Sequence, residues 1–143
     1  MRSETPTALE ISPTNGLDLD EKEAVAHFLG KSVLEAEALF RDNFVHYSND
    51  LHWMGPVAFG YYFPAFANYL RSAESAGYGD AVNSLIVLLE IRMTNDAASL
   101  VSVKEELLGC LDYCIGNYSK FEVSADVYGD LKSKLAELKA RLR

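Results

Sequence analysis

DLHWMGPVAFGYYFPAFANYL, residues 50–70, holds the single tryptophan (Trp53), two of the four prolines (Pro56 and Pro64) and six further aromatic residues. Phe59, Tyr62, Phe63, Phe66 and Leu70 recur at i, i+3, i+4, i+7 and i+11, one face of a 3.6-residue period. Gly55-Pro56 opens the pattern with proline at the first helical position, where its missing N–H costs nothing. Pro64 lies inside the pattern, removes the hydrogen bond to the Gly60 carbonyl and presses its ring toward residue 60. The spacing predicts a buried aromatic helix with a kink or break near Gly60–Pro64.

Helical signals continue on both sides. Asp18 or Asp20 can cap a short helix over about 19–28, which Gly30 ends. Ser32 and Glu35 form a capping box, each side chain taking an unpaired N–H of the first turn. Leu34, Ala38, Leu39 and Phe40 make an inward face through about Arg41, and DNFVHYSND (42–50) reads as a polar connection. Beyond the loop at 71–80, Asp80 can cap a helix over 81–93. Within it, LIVLLEI (85–91) fits a buried helix or a buried strand by pattern alone, and length and the lack of a pairing strand favour helix. TNDAASLV (94–101) is a turn. Residues 102–117 predict a helix with Val103, Leu107, Cys110, Leu111, Cys114 and Ile115 inward, stopped by Gly116-Asn117. The last helix spans 125–142, with a stripe of Val127, Tyr128, Leu131, Leu135, Leu138 and Leu142. Residues 1–16, rich in Ser, Thr and Pro, read as a flexible arm. The expectation is one all-α domain over 17–143, with five to seven helices in an irregular bundle or stacked helical hairpins.

The 143 residues suffice for one domain with a real core. No apolar run approaches the roughly 20 residues of a membrane span. MRSETPTALEISPTNG lacks the apolar centre of a signal peptide, which makes a cytoplasmic location the default. The net charge is −8 and unevenly spread, since residues 131–143 carry five of the 13 basic residues and one of the 21 acidic ones. An acidic body disfavours direct nucleic-acid binding through phosphates and favours a basic protein partner. The basic end matches the dipole of a helix C-terminus. Nothing in the sequence sets the oligomeric state.

Candidate chemistry is sparse. His46, Asp50 and His52 fall within seven residues and carry ligand types that suit zinc, iron or nickel, but H-x3-D-x-H has no spacing tied to a known metal site. Cys110 and Cys114 stack on one helix face, poorly placed for a disulfide, and read as small buried thiols. No nucleophile elbow, zincin, P-loop or dinucleotide motif is present. No cofactor, metal ligand or catalytic residue is therefore assigned. Tyr61 and Tyr69 fall off the aromatic stripe and Trp53 precedes the helix, and aromatic residues so placed suit interface anchors.

The string DLHWMGPVAFGYYFPA (50–65) resembles a motif of a family of small bacterial helical proteins of unknown function. The match is carried by Asp-Leu, Trp-Met-Gly-Pro, Ala-Phe, Tyr-Tyr and Pro-Ala at these spacings, and extends more weakly over 20–142. The resemblance implies an all-helical fold and says nothing about chemistry. The leading expectation is a non-enzymatic interaction domain, such as a bacterial immunity or regulatory protein that neutralises a basic toxin or enzyme. Its candidate contact residues are Asp18, Asp20, Glu21, Glu23, His46, Asp50, His52, Trp53, Tyr61 and Tyr69. The alternative is a small-molecule or metal-binding domain, with an enzyme as one form of it, whose site lies near residues 46–62.

Overall fold

Side chains placed to close helix ends set the order of elements in the computed structural model, which describes residues 4–143. Thr7 and Glu10 form a capping box that opens α1 (Ala8–Ile11). Asp18 accepts from the N–H groups of Asp20 and Glu21 and opens α2 (Leu19–Phe28). Ser32 and Glu35 make the expected box at the start of α3 (Val33–Trp53). Pro56 is the first residue of α4 (Pro56–Arg71). Then come α5 (Gly79–Asn95), α6 (Lys104–Gly116), α7 (Ala125–Tyr128) and α8 (Leu131–Leu142), with 3-10 turns at Ala73–Ser75, Ala97–Val103 and Tyr118–Phe121. All regular structure among the described residues is helical, six longer helices and two single turns, so residues 85–91 are helix and the all-α expectation holds.

Local expectations need five corrections. Residues 42–50 are not a connection, because α3 continues to Trp53 across a break at Asn43 (φ −157°, ψ 81°). Asn43 ends the first half and its Oδ1 accepts the His46 N–H, restarting the helix as an N-cap does. The first half also turns a different face inward: Ala36 and Phe40 are buried, whereas Leu34 and Ala38 are exposed. The break expected at Gly60–Pro64 is absent, and α4 runs unbroken through Pro64. Gly60 instead makes room for the 97–103 turn, since a Cβ there would lie 3.2 Å from Ser102 Oγ. Asp80 is not a cap: α5 begins one residue earlier, and the Asp80 carboxylate accepts the Tyr128 hydroxyl. The last helix is divided at Gly129, whose φ of +70° is the left-handed backbone that glycine adopts freely, and Val127 is left exposed.

The described part of the N-terminal segment is docked, while residues 1–3 of the expected arm lie outside the described residues. Ile11 is fully buried and its carbonyl accepts the Gly55 N–H at 2.9 Å. A Cβ on Gly55 would sit 2.3 Å from the Glu10 carbonyl oxygen, so only glycine lets the two backbones meet.

The α3–α4 hairpin forms the centre. α2 and α5 pack on α3, α1 and α6 on α4, and α8 on α5 and α6. Phe40, Phe59, Phe63 and Phe66 are fully buried in this core with Leu85, Leu89, Leu107 and Leu111. Cys110 and Cys114 are buried and free, and the Cys110 thiol is kept protonated by its hydrogen bond to Cys114 and by burial. Three helix C-termini are each closed by a side chain distant in sequence. The Tyr62 hydroxyl lies 2.8 Å from the carbonyl oxygens of Phe28 and Lys31 at the end of α2. Arg92 Nη1 donates to the carbonyls of Met54 (2.7 Å), His52 (3.2 Å) and Leu51 (3.4 Å) at the end of α3. Lys120 Nζ donates to those of Leu70 (3.0 Å) and Ser72 (2.9 Å) at the end of α4.

Phe66→Ala is expected to cost about 3–5 kcal/mol through the cavity it leaves. Arg92→Met is expected to cost a similar amount, about 3–5 kcal/mol, by stranding buried carbonyls. Urea unfolding of both variants checks this, and a near-zero loss for Arg92→Met would show that other donors satisfy the end of α3.

Candidate functional site

The second half of α3 carries most of the chemistry-bearing side chains. His46 and Asp50 are four residues apart and share a helix face, whereas His52 lies two residues on and points elsewhere. The three therefore do not converge. His46 and Asp50 meet α2 instead, through a residue that the sequence reading passed over. His27 Nδ1 lies 2.7 Å from Asp50 Oδ2, and its Nε2 is 3.6 Å from Glu23. The His46 ring packs 4.9 Å from the His27 ring, and Tyr47 stands edge-on at 5.2 Å. Burial raises the Asp50 pKa, and the hydrogen bond from His27 opposes that rise.

This pair resembles the orienting half of a nucleophilic triad, but the nucleophile is missing. Among the described residues no hydroxyl or thiol bonds to either His27 nitrogen. Ser48, the nearest hydroxyl along the chain, is turned to the Val45 carbonyl. Among the described residues no group of three or more His, Cys, Asp or Glu side chains could hold a metal ion.

His52 belongs to a second cluster. Its ring stands T-shaped to Trp53 at 6.2 Å, and Trp53 is partly exposed. Beneath them Arg92 is 3% exposed, lies 4.2 Å over the Phe59 ring and donates from Nε to Ser99. Its remaining arm is 3.7 Å from Asp96. Burial lowers the Arg92 pKa to about 10, against the pull of Asp96. Burial, and then the Arg92 charge, lower the His52 pKa to about 4. His52 Nε2 and Arg92 Nη2 are the buried side-chain polar atoms without a hydrogen-bond partner among the described residues.

The other candidate residues separate into available and unavailable ones. Tyr69 is 2% exposed, stacked between Phe44 and Phe66, and Asp50 is 3% exposed, so neither can serve as a surface contact; both expectations are corrected. Tyr61 is half-buried against Tyr62. Asp18 is occupied as a helix cap, and Glu21 Oε1 accepts from Ser12 and Thr14. Asp20, Glu23 and His46 remain exposed. Clefts of about 360 Å³ and about 280 Å³ lie elsewhere, and no residue of 46–62 lines either. Among the described residues no helix is long and apolar enough to cross a membrane.

Comparison with protein-family models, curated proteins and solved structures gives no match. Residue roles therefore come from the geometry alone.

His52 generates a pH prediction. Above pH 6.5 its imidazole is neutral in both the folded and the unfolded chain. Between pH 6.5 and about 4 the unfolded chain takes up a proton that the folded protein refuses, so stability falls with falling pH across that window. Asp50, with its raised pKa, acts in the opposite sense, its contribution fading as pH rises through the folded value. His52→Gln is expected to flatten the acid-side loss measured by urea unfolding at stepped pH. An unchanged slope would remove His52 as its source.

Proposed function

We propose that this chain is a non-enzymatic binding domain that acts by docking on a basic protein, and that the docking surface is the one carried by α1, α2 and the start of α3. The observation behind this reading is a set of exposed leucines that the core does not need. Leu17 is 87% exposed, Leu19 74% and Leu34 72%, with Leu9 and Leu29 also exposed, while Ala24, Phe28, Ala36 and Phe40 fill the core side of the same elements. A contiguous exposed apolar patch marks an interaction site, and all five leucines fall between residues 9 and 34. Asp18, Asp20 and Glu23 lie among these leucines in sequence, and residues 1–50 carry ten acidic against four basic residues. Such a surface offers apolar burial for affinity and negative charge for steering a basic partner. A bacterial immunity or regulatory protein that neutralises a toxin or enzyme would work in this way.

The reading near residues 46–62 as a ligand or metal site has less support, since its residues divide between two clusters and neither cleft reaches them. The test separates leucines from charge. Leu17→Ser with Leu34→Ser should leave thermal unfolding nearly unchanged, because both side chains are exposed, and should abolish co-purification of the partner from the source cells. Asp20→Asn with Glu23→Gln avoids the structural roles of Asp18 and Glu21. That pair should slow association by roughly tenfold at low salt and far less at high salt. Wild-type co-purification retained by both variants would overturn the assignment of this surface.

A further inference from the structure

A cleft of about 280 Å³ opens where the 97–103 turn, the C-terminal part of α5 and the end of α8 meet. That volume lies near the small end of ligand pockets, roughly 300 Å³. Met93, Leu100, Val101 and Leu142 supply apolar walls. Leu100 belongs to the core and Met93 and Leu142 pack against it, whereas Val101 is 73% exposed and lies outside it. The charged side chains that line the cleft are Lys104 and Arg141, and no acidic residue does. Neither cation makes a hydrogen bond or an ion pair with any described residue, although the chain has 21 acidic residues to 13 basic ones. Other bases of α8 and α4 are paired, Lys139 with Asp112 and Arg71 with Glu106. Lys104 is also poorly placed for helix stability. It is the first residue of α6, whose N-cap Val103 offers no side-chain cap, and a cation there opposes the helix dipole. A residue that breaks a local rule without a local gain is expected at a functional position.

We propose that this cleft binds a free fatty-acid anion of medium chain length. The hydrocarbon chain lies along the apolar walls, where each buried CH₂ tightens binding about fourfold. The carboxylate sits between Lys104 and Arg141, which offer charge-assisted hydrogen bonds and meet no competing acid in the cleft. A sugar phosphate or nucleotide would set its hydroxyls against walls whose only polar side chains are the two cations. An organic cation would meet two unpaired positive charges. The acidic body opposes the approach of any anion at long range, but that field is screened over about 10 Å at 0.1 M salt, while the two cations act at contact distance.

Methyl NMR titration of the full chain with octanoate, hexanoate and 1-octanol tests the site. Octanoate should shift the Met93, Val101 and Leu142 methyl resonances. Hexanoate, two CH₂ groups shorter, should bind roughly tenfold more weakly, and 1-octanol, with the chain but no charge, about tenfold more weakly as well. Lys104→Gln with Arg141→Gln should lower octanoate to the level of 1-octanol and leave 1-octanol unchanged. Thermal unfolding of that variant should stay nearly as in wild type, because both side chains are exposed. Equal binding of octanoate and 1-octanol, octanoate binding unaltered in the double variant, or no methyl shifts up to about 20 mM octanoate would overturn the proposal. Shifts of the same methyls on concentrating the chain alone would assign the cleft to a second copy and overturn it too.

Discussion

The contact between Arg92 and the end of α3 holds the centre of this protein together. α3 must stop at Trp53 so that the chain can turn through Met54 and Gly55 into α4. Stopping there leaves carbonyls in the interior, where an unsatisfied acceptor costs about 1–3 kcal/mol. One guanidinium on α5 answers three of them, lies on the Phe59 face and is itself braced by Ser99 and Asp96. The positive charge also faces the negative end of the α3 dipole. Since burying an arginine is costly, the arrangement depends on Nε and Nη1 being engaged and on Asp96 facing Nη2, which makes no hydrogen bond. It ties α3, α4, α5 and the 97–103 turn into one unit, and His52 is dehydrated as a by-product.

The same logic governs the neighbouring elements and explains why the polar chemistry is mostly structural. Tyr62 and Lys120 do for α2 and α4 what Arg92 does for α3. Lys120 also lies over the rings of Tyr113 and Phe121. The groups that look reactive are therefore committed: the Cys110 thiol to Cys114, the His27 imidazole to Asp50, the Arg92 guanidinium to carbonyls. What stays uncommitted lies at the surface of α1 and α2 and in the cleft between the 97–103 turn and the end of α8.

Much of the helix plan could be read from local sequence, because local chemistry dictates it. The Ser32–Glu35 box, the Asp18 cap, Pro56 at the start of α4 and the aromatic stripe of that helix all involve residues within a few positions of each other. Elements set by distant contacts were hidden. The second half of α3 buries Ser48, Asp50 and Leu51, a face too polar to register as a hydrophobic stripe, although Asn43 three residues before His46 was a readable cap. Pro64 suggested a break that the packed α4 does not make, and Gly60 beneath it serves Ser102 on another segment. His27 could not be assigned, since its partner is 23 residues away. Arg92 did leave a trace: a lone arginine in a helix apolar nearly all round has to find acceptors somewhere, because arginine is almost never buried unpaired. For the candidate contacts, periodicity placed Tyr69 off the core stripe, and only the packing of Phe44 behind it shows that it is enclosed.

The remote closure of helix ends also governs the order in which the chain can mature. Tyr62 lies 34 residues after Phe28, Arg92 lies 38 after Met54, and Lys120 lies 50 after Leu70. As the polypeptide leaves the ribosome, each helix emerges with an open end that a later helix must seal. No N-terminal fragment ending between Lys31 and Lys120 contains all of its own seals. Partial chains are thereby kept from settling into a finished shape, and the protein becomes resistant as a whole only once the last third has been made.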